Sequence, residues 1–163
     1  MKITPANPPD LDTIYLMGYD TWSEGRGVEQ YLADCRTNPE YQQGCWRQLV
    51  TDSHTPVASL IVYDLPDIGR FRASGLGCIA TAAEHRRQGH AARLIDLVLI
   101  ERREDDIILL FSDIAPAYYE AFGFKALPPA CQHYPKSVSM VKLQQSATLD
   151  ELLQHAGQLP AYF

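Results

Sequence analysis

The stretch from Gly75 to Glu101, reading GLGCIATAAEHRRQGHAARLIDLVLIE, constrains the fold more than any other part of the chain. Leu76 to Thr81 is a short apolar run that predicts a strand. Arg86 to Ala91 is a basic turn containing Gly89, and Ala91, Leu94, Ile95 and Val98 then recur at helical spacing, with His90, Arg93 and Asp96 off that face. A polar run from Glu101 to Asp106 ends the helix, and Ile107 to Phe111 follows as an unbroken apolar run, the mark of a strand covered on both faces. Strand, helix, strand in that order needs a crossover, so the second strand is expected to run parallel near the first. The turn has chemical meaning as well. The first turn of a helix leaves backbone N–H groups without partners and carries partial positive charge, which suits an anionic phosphate. Gly89 lets a ligand approach the backbone, Ala91 nearly so, and Arg86 and Arg87 add formal charge.

Around this unit the remaining elements fall into place. Pro8-Pro9-Asp10 predicts a helix start, with Leu11, Ile14, Tyr15, Gly18 and Tyr19 at helical spacing. Thr21 to Gly27 mixes two glycines with charged residues and Trp22, which suits a mobile loop, and a second helix then turns Val28, Tyr31, Leu32 and Cys35 inward. Trp46–Thr51 and Val57–Tyr63 predict an antiparallel hairpin, with the next turn at Pro66, Asp67 and Gly69. Pro116 and Gly123 bracket a short helix as N-terminal proline and C-terminal glycine, with Tyr118 and Phe122 expected to pack together in the core. Phe124–Leu127 and Ser137–Leu143 would be closing strands. Residues 147–156 carry a weak helical pattern, and the aromatic tail Tyr162-Phe163 hints at docking within the chain or against a second copy.

The chain has 163 residues, the size of one domain, with 46% hydrophobic and 21% charged residues, as in a globular protein. No apolar run approaches the roughly 20 residues of a membrane span, and the N-terminus lacks a hydrophobic signal segment, so a cytoplasmic location is expected. Cys35, Cys45, Cys78 and Cys131 are scattered without metal-ligand or disulfide spacing, so no metal is expected. The net charge of −6 disfavours a nucleic-acid backbone and draws in a cationic partner.

Arg86-Arg87-Gln88-Gly89-His90-Ala91 resembles the Arg/Gln-x-x-Gly-x-Gly/Ala signature of the GNAT superfamily of acetyl-CoA-dependent N-acetyltransferases. Glu84-His85 stands where that superfamily often has Glu-Tyr. Ala115-Pro116-Ala117-Tyr118-Tyr119-Glu120-Ala121-Phe122-Gly123-Phe124 is similar to its Ala-x-x-x-Tyr-x-x-x-Gly-Phe segment. The resemblance covers residues 45 to 143. It implies a single α/β (α+β) domain over 1–163, with core motifs at 75–124 and a C-terminal extension at 144–163. The sheet would be mixed and mostly antiparallel, with a central parallel strand pair splayed to admit acetyl-CoA and helices flanking it.

The resemblance also implies roles. Arg86, Arg87, Gln88, Gly89, His90 and Ala91 would hold the coenzyme A diphosphate, and backbone groups of Ile79 and Thr81 would pair with the pantetheine amides. A backbone N–H near Ile79 or Ala80 would polarise the thioester carbonyl, and Tyr119 would protonate the departing thiolate. Ser112 stands where many relatives have Asn and would make a weaker pantetheine contact. Trp22, Glu24 and Asp20 are candidates to touch the acceptor. Glu24, Asp20, Asp113 and His85 remain open as the general base, and Cys78 as an acyl-carrying nucleophile is the minor alternative. The reading is acetyl transfer from acetyl-CoA directly to a primary amine of a small molecule or peptide, without metal, nucleic acid or membrane. A homodimer stays open. The alternative is a non-catalytic CoA-binding or partner-binding module on the same fold. A nucleotide-binding regulatory domain is disfavoured because the turn lacks Gly-x-x-x-x-Gly-Lys-Ser/Thr.

Overall fold

The computed structural model describes residues 1–144 and 147–163; Gln145 and Ser146, within the expected C-terminal extension, lie outside the described residues. The strands are β1 Lys2–Pro5, β2 Cys45–Val50, β3 Pro56–Ile68, β4 Phe71–Thr81, β5 Ile107–Ser112, β6 Lys125–Ala126 and β7 Val138–Leu143. The helices are α1 Leu11–Leu16, α2 Tyr19–Trp22, α3 Val28–Thr37, α4 Pro39–Gln43, α5 His90–Glu101, α6 Ala117–Glu120 and α7 Leu149–Leu153. The strands form one sheet in the order β1-β2-β3-β4-β5-β7-β6. The pairings β1–β2, β2–β3, β5–β7 and β6–β7 are antiparallel and β4–β5 is parallel, giving the mixed, mostly antiparallel architecture expected.

By contact density the chain divides into two compact units, Met1–Val62 with Cys78–Val98, and Tyr63–Gly77 with Leu99–Phe163. In the first, β2 packs its partners around an aromatic group. Tyr15 stacks on Tyr41 at 5.6 Å, and Trp46 meets both rings edge-on at 5.7 and 5.3 Å. Burying three such rings is a large apolar contribution, and their tilted geometry suits the ring quadrupoles. Tyr31 of α3 donates its hydroxyl to Tyr15 O at 3.1 Å, which satisfies a buried polar group and fixes α3 on α1. In the second unit, Ala73, Ile107, Leu109 and Val141 share one sheet face by alternation and are buried beneath Leu127, Cys131, Leu152 and Leu159. Gln132 closes this unit's loop onto the sheet. Its Nε2 donates to Leu127 O and Ser139 O at 2.8 and 3.0 Å, and its Oε1 accepts from Ser139 N at 2.8 Å, so one side chain stands in for a strand partner.

Several sequence expectations shift. β1 is an addition to the expected strands: two of its four residues are exposed and none is buried, and pairing with Arg47–Val50 makes them a strand. β3 runs through Pro66 and Asp67, and the turn falls at Gly69-Arg70. The β2–β3 pairing runs from Val50↔Pro56 to Cys45↔Val62, short of Pro66. The expected first helix splits into α1 and α2 at Gly18, whose backbone lies under Trp22. A Cβ there would sit 2.0 Å from the indole. Tyr118 and Phe122 do meet, at 5.6 Å, but at the surface, with Tyr118 37% exposed; Tyr119 is the buried member of the pair, at 8%.

Candidate functional site

The first unit carries the basic turn. β4 ends at Thr81, and Ala83–His85 forms a single 3₁₀ turn before Arg86. Arg87 and Gly89 both take left-handed backbone angles, φ +59° and +78°, and α5 begins at His90. Such angles are ordinary for glycine and costly for arginine, so the turn holds local strain at a non-glycine position. Arg87, Gln88 and Gly89 are exposed, and a Cβ on Gly89 would meet nothing within 4 Å. The first bond of the helix joins Arg93 N to Gly89 O at 2.9 Å, and the N–H groups of the opening turn precede it. Helix orientation and charge therefore combine at one exposed turn. The chemistry this allows is anion binding.

Arg86 faces the other way. Its Nη1 donates to Asp20 Oδ2 at 2.5 Å, and its Nη2 donates to Asp20 Oδ1 at 2.9 Å and Met17 O at 3.2 Å. Nε donates to Thr81 O at 3.1 Å, so that carbonyl, one of the groups expected to pair with a ligand amide, is already engaged. The Arg86 guanidinium holds the Asp20 carboxyl below the usual carboxylate range, and Asp20 in turn raises Arg86. A carboxylate held this way is a poor proton acceptor at neutral pH. Sequence reasoning named both residues without linking them. They stand 66 positions apart, and nothing local marks the pair.

The stretch expected to be a mobile loop is instead tied down. Arg26 donates to Asp34 Oδ2 at 2.6 Å, Ser23 O at 2.8 Å and Trp22 O at 2.9 Å, and Tyr19 donates its hydroxyl to Arg26 O at 2.7 Å. Glu24, at φ +51°, and Gly25, at φ +80°, make its reversal. At the end of β4, Cys78 sits at φ +49°, outside the strand region, so the regular alternation breaks before Ile79, Ala80 and Thr81, all half-buried. Burial pushes the phenols of Tyr31 and Tyr41 up, and the Cys78 thiol adds to both shifts. Neutral phenols do not activate a thiolate as a neighbouring cation would. His85 and His90 lie with their rings 5.9 Å apart, edge to face.

The second unit carries Tyr119. α6 places it against Tyr118 at 5.1 Å and Phe124 at 6.3 Å, and Gly123, at φ +86°, lets the chain reverse after the helix. Burial first, then Tyr118 and Asp113, raise its phenol well above 10, so it stays protonated across the physiological range. Ser112 is buried and donates its hydroxyl to Ile114 O at 2.8 Å, which shapes the turn after β5 and leaves its lone pairs as the remaining polar capacity. Asp113 accepts from Ser137 Oγ at 2.6 Å. The β4–β5 ladder runs from Ala73↔Ile107 to Leu76↔Leu110, while β4 continues to Thr81. Among the described residues no group of three His, Cys, Asp or Glu side chains could hold a metal ion, and no helix is long and apolar enough to cross a membrane.

Comparison with known proteins relates one segment of the chain to a known family and its fold to solved structures. Residues 62–127, which include both the turn and the Tyr119 segment, match the family model described as an acetyltransferase (GNAT) domain. A Corynebacterium glutamicum structure described as histone acetyltransferase HPA2 and related acetyltransferase superposes with a TM-score of 0.66 at 14% identity, covering 90% of this chain and 98% of that one. The GNAT family N-acetyltransferase YhbS of Escherichia coli, solved in complex with CoA, gives 0.65 at 19% identity over 93% of this chain and 83% of that one. The ribosomal-protein-S18-alanine N-acetyltransferase of Escherichia coli gives 0.65 at 17% identity, over 90% and 96%. No curated protein matches the sequence. The fold is that of the GNAT N-acetyltransferases, and the resemblance read from the two sequence motifs holds in both the matched segment and the architecture.

Proposed function

We propose that this chain moves an acetyl group from acetyl-CoA to a primary amine by direct transfer. The observation that carries the reading is the turn at Arg86–Ala91, with two left-handed residues, exposed backbone and the start of α5, inside the segment that matches the acetyltransferase family. YhbS, a neighbour in fold, was crystallised with CoA, which supports the donor.

The reaction asks for a neutral amine, a polarised thioester carbonyl and a stabilised leaving thiolate. The amine nitrogen attacks the carbonyl carbon, a C–N bond forms, and charge gathers on the carbonyl oxygen. A backbone N–H at Ile79 or Ala80 is assigned to that oxygen, a service worth about 10² to 10³ in rate. As the C–S bond breaks, Tyr119 donates a hydrogen bond to the thiolate. A phenol raised by burial is always protonated but gives up its proton reluctantly, so its first service is to stabilise developing charge. The amine's proton goes to solvent. Pairing with Arg86 makes Asp20 a weak candidate for the base, which leaves Glu24, Asp113 and His85 for that role.

The net charge of −6 favours a cationic acceptor, either a small amine or a peptide-borne one. The test is thiol release from acetyl-CoA across polyamines, aminoglycosides, amino acids and short peptides. Saturable release with one amine class is expected. Tight CoA binding with no release across the panel would instead support a non-catalytic CoA-binding module.

A further inference from the structure

We infer that Asp20 and Arg86 are positioning residues: the pair braces the diphosphate turn against the stretch from Met17 to Arg26, so Arg87, rather than Arg86, is the cation left to the ligand. The inference rests on the functional reading above. Its basis is the allocation of Arg86's donors. Three nitrogens make four hydrogen bonds, two to the Asp20 carboxylate in the bidentate geometry that fixes a guanidinium, and one each to Met17 O and Thr81 O. A guanidinium committed to two backbone carbonyls and a carboxylate has its plane set by the protein. Turning it toward a phosphate would break all four bonds at once. Arg87, held at φ +59° and exposed, has no such commitment among the described residues.

The pair is 40% and 54% exposed, so its Coulombic attraction alone is worth little. Its significance is connectivity. Met17 and Asp20 bracket Gly18, which Trp22 covers, and Arg26 locks Trp22, Ser23 and Asp34 at the far end of the same stretch. One arginine fastens each end, and the Arg86 end is the basic turn itself. Ordering the turn around a diphosphate therefore orders residues 17–26, and by reciprocity anything that orders residues 17–26 tightens the turn.

The experiment combines calorimetry with CoA and hydrogen exchange on wild type, Asp20→Asn, Arg86→Gln, the double variant and Arg87→Gln. Without ligand, Asp20→Asn should speed amide exchange in both 17–26 and 86–89. With CoA, wild type should gain protection in both stretches, whereas Asp20→Asn should keep it at 86–92 and lose it at 17–26. Asp20→Asn and Arg86→Gln should each weaken CoA binding by about 5- to 10-fold, and the double variant should be no worse than either. Arg87→Gln should cost more and flatten the salt dependence of binding. A loss in Arg86→Gln tenfold beyond that in Asp20→Asn, with an additive double variant, would make Arg86 a phosphate ligand and overturn the inference. So would unchanged exchange at 86–89 in ligand-free Asp20→Asn. Wild type that binds no CoA would refute the functional reading instead, while the ligand-free exchange still decides whether the brace exists.

Discussion

Gly75 lies on the sheet face it shares with Ala73, and a Cβ built there would fall 2.4 and 2.5 Å from Phe163 Cε2 and Cζ. Its φ is ordinary, so space alone excludes a side chain. The Phe163 ring is wedged between Tyr63 at 5.1 Å and Phe111 at 5.0 Å, while Tyr162 packs on Phe111 at 4.9 Å and stacks on Tyr134 at 4.3 Å. Gly75→Ala must therefore push this ring out. Full burial of a phenylalanine is worth about 1.5–3 kcal/mol, and Phe163 is only partly buried, so undocking should cost about 2 kcal/mol. Against this, Gly→Ala stiffens the unfolded chain and returns about 0.4–1 kcal/mol. The net destabilisation in wild type is then about 1–1.5 kcal/mol. In a Phe163→Ala background the obstacle is gone, and the same substitution should stabilise by about 0.4–1 kcal/mol, a reversal of sign with about 2 kcal/mol of coupling. Urea denaturation of the four proteins in the cycle measures it. Equal effects of Gly75→Ala in the two backgrounds would refute the wedge.

Tyr119→Phe should lower kcat about 10²-fold while CoA affinity stays within about threefold. Because burial raises this phenol, its protonated form persists as pH rises, so the wild-type kcat profile should show no alkaline loss assignable to Tyr119 below about pH 10. A descending limb near pH 8 that vanishes in the variant would contradict this. Gly89→Ala should destabilise the fold by about 1–2 kcal/mol in thermal melts, since φ +78° is costly for any L side chain although space is open. Gln132→Ala, which strands Leu127 O and Ser139 N and leaves Ser139 O with only its bond from Leu127 N, should cost about 2–3 kcal/mol. Gln132→Glu should be worse, because a carboxylate would face two carbonyl oxygens, and protonating it at low pH should recover part of the loss in urea melts.

Elements whose information is local were legible in the sequence. The apolar run at Ile107–Phe111, the helical spacing of Leu94, Ile95 and Val98, the proline and glycine bracketing α6, and the glycine of the basic turn each state their structure within a few residues. Propensity, periodicity and backbone permission act at that range. The two motifs that carry the resemblance also lie within short windows, so the fold and its class could be read. Tertiary structure decided what depends on residues distant in the chain. β1 exists because Arg47–Val50 offers it a ladder, and Tyr119 rather than Tyr118 is the buried ring. For Arg86 the sequence displays only its charge. Where a guanidinium points depends on which carboxylate and carbonyls surround it, and those came from Asp20, Met17 and Thr81 only once the chain had folded.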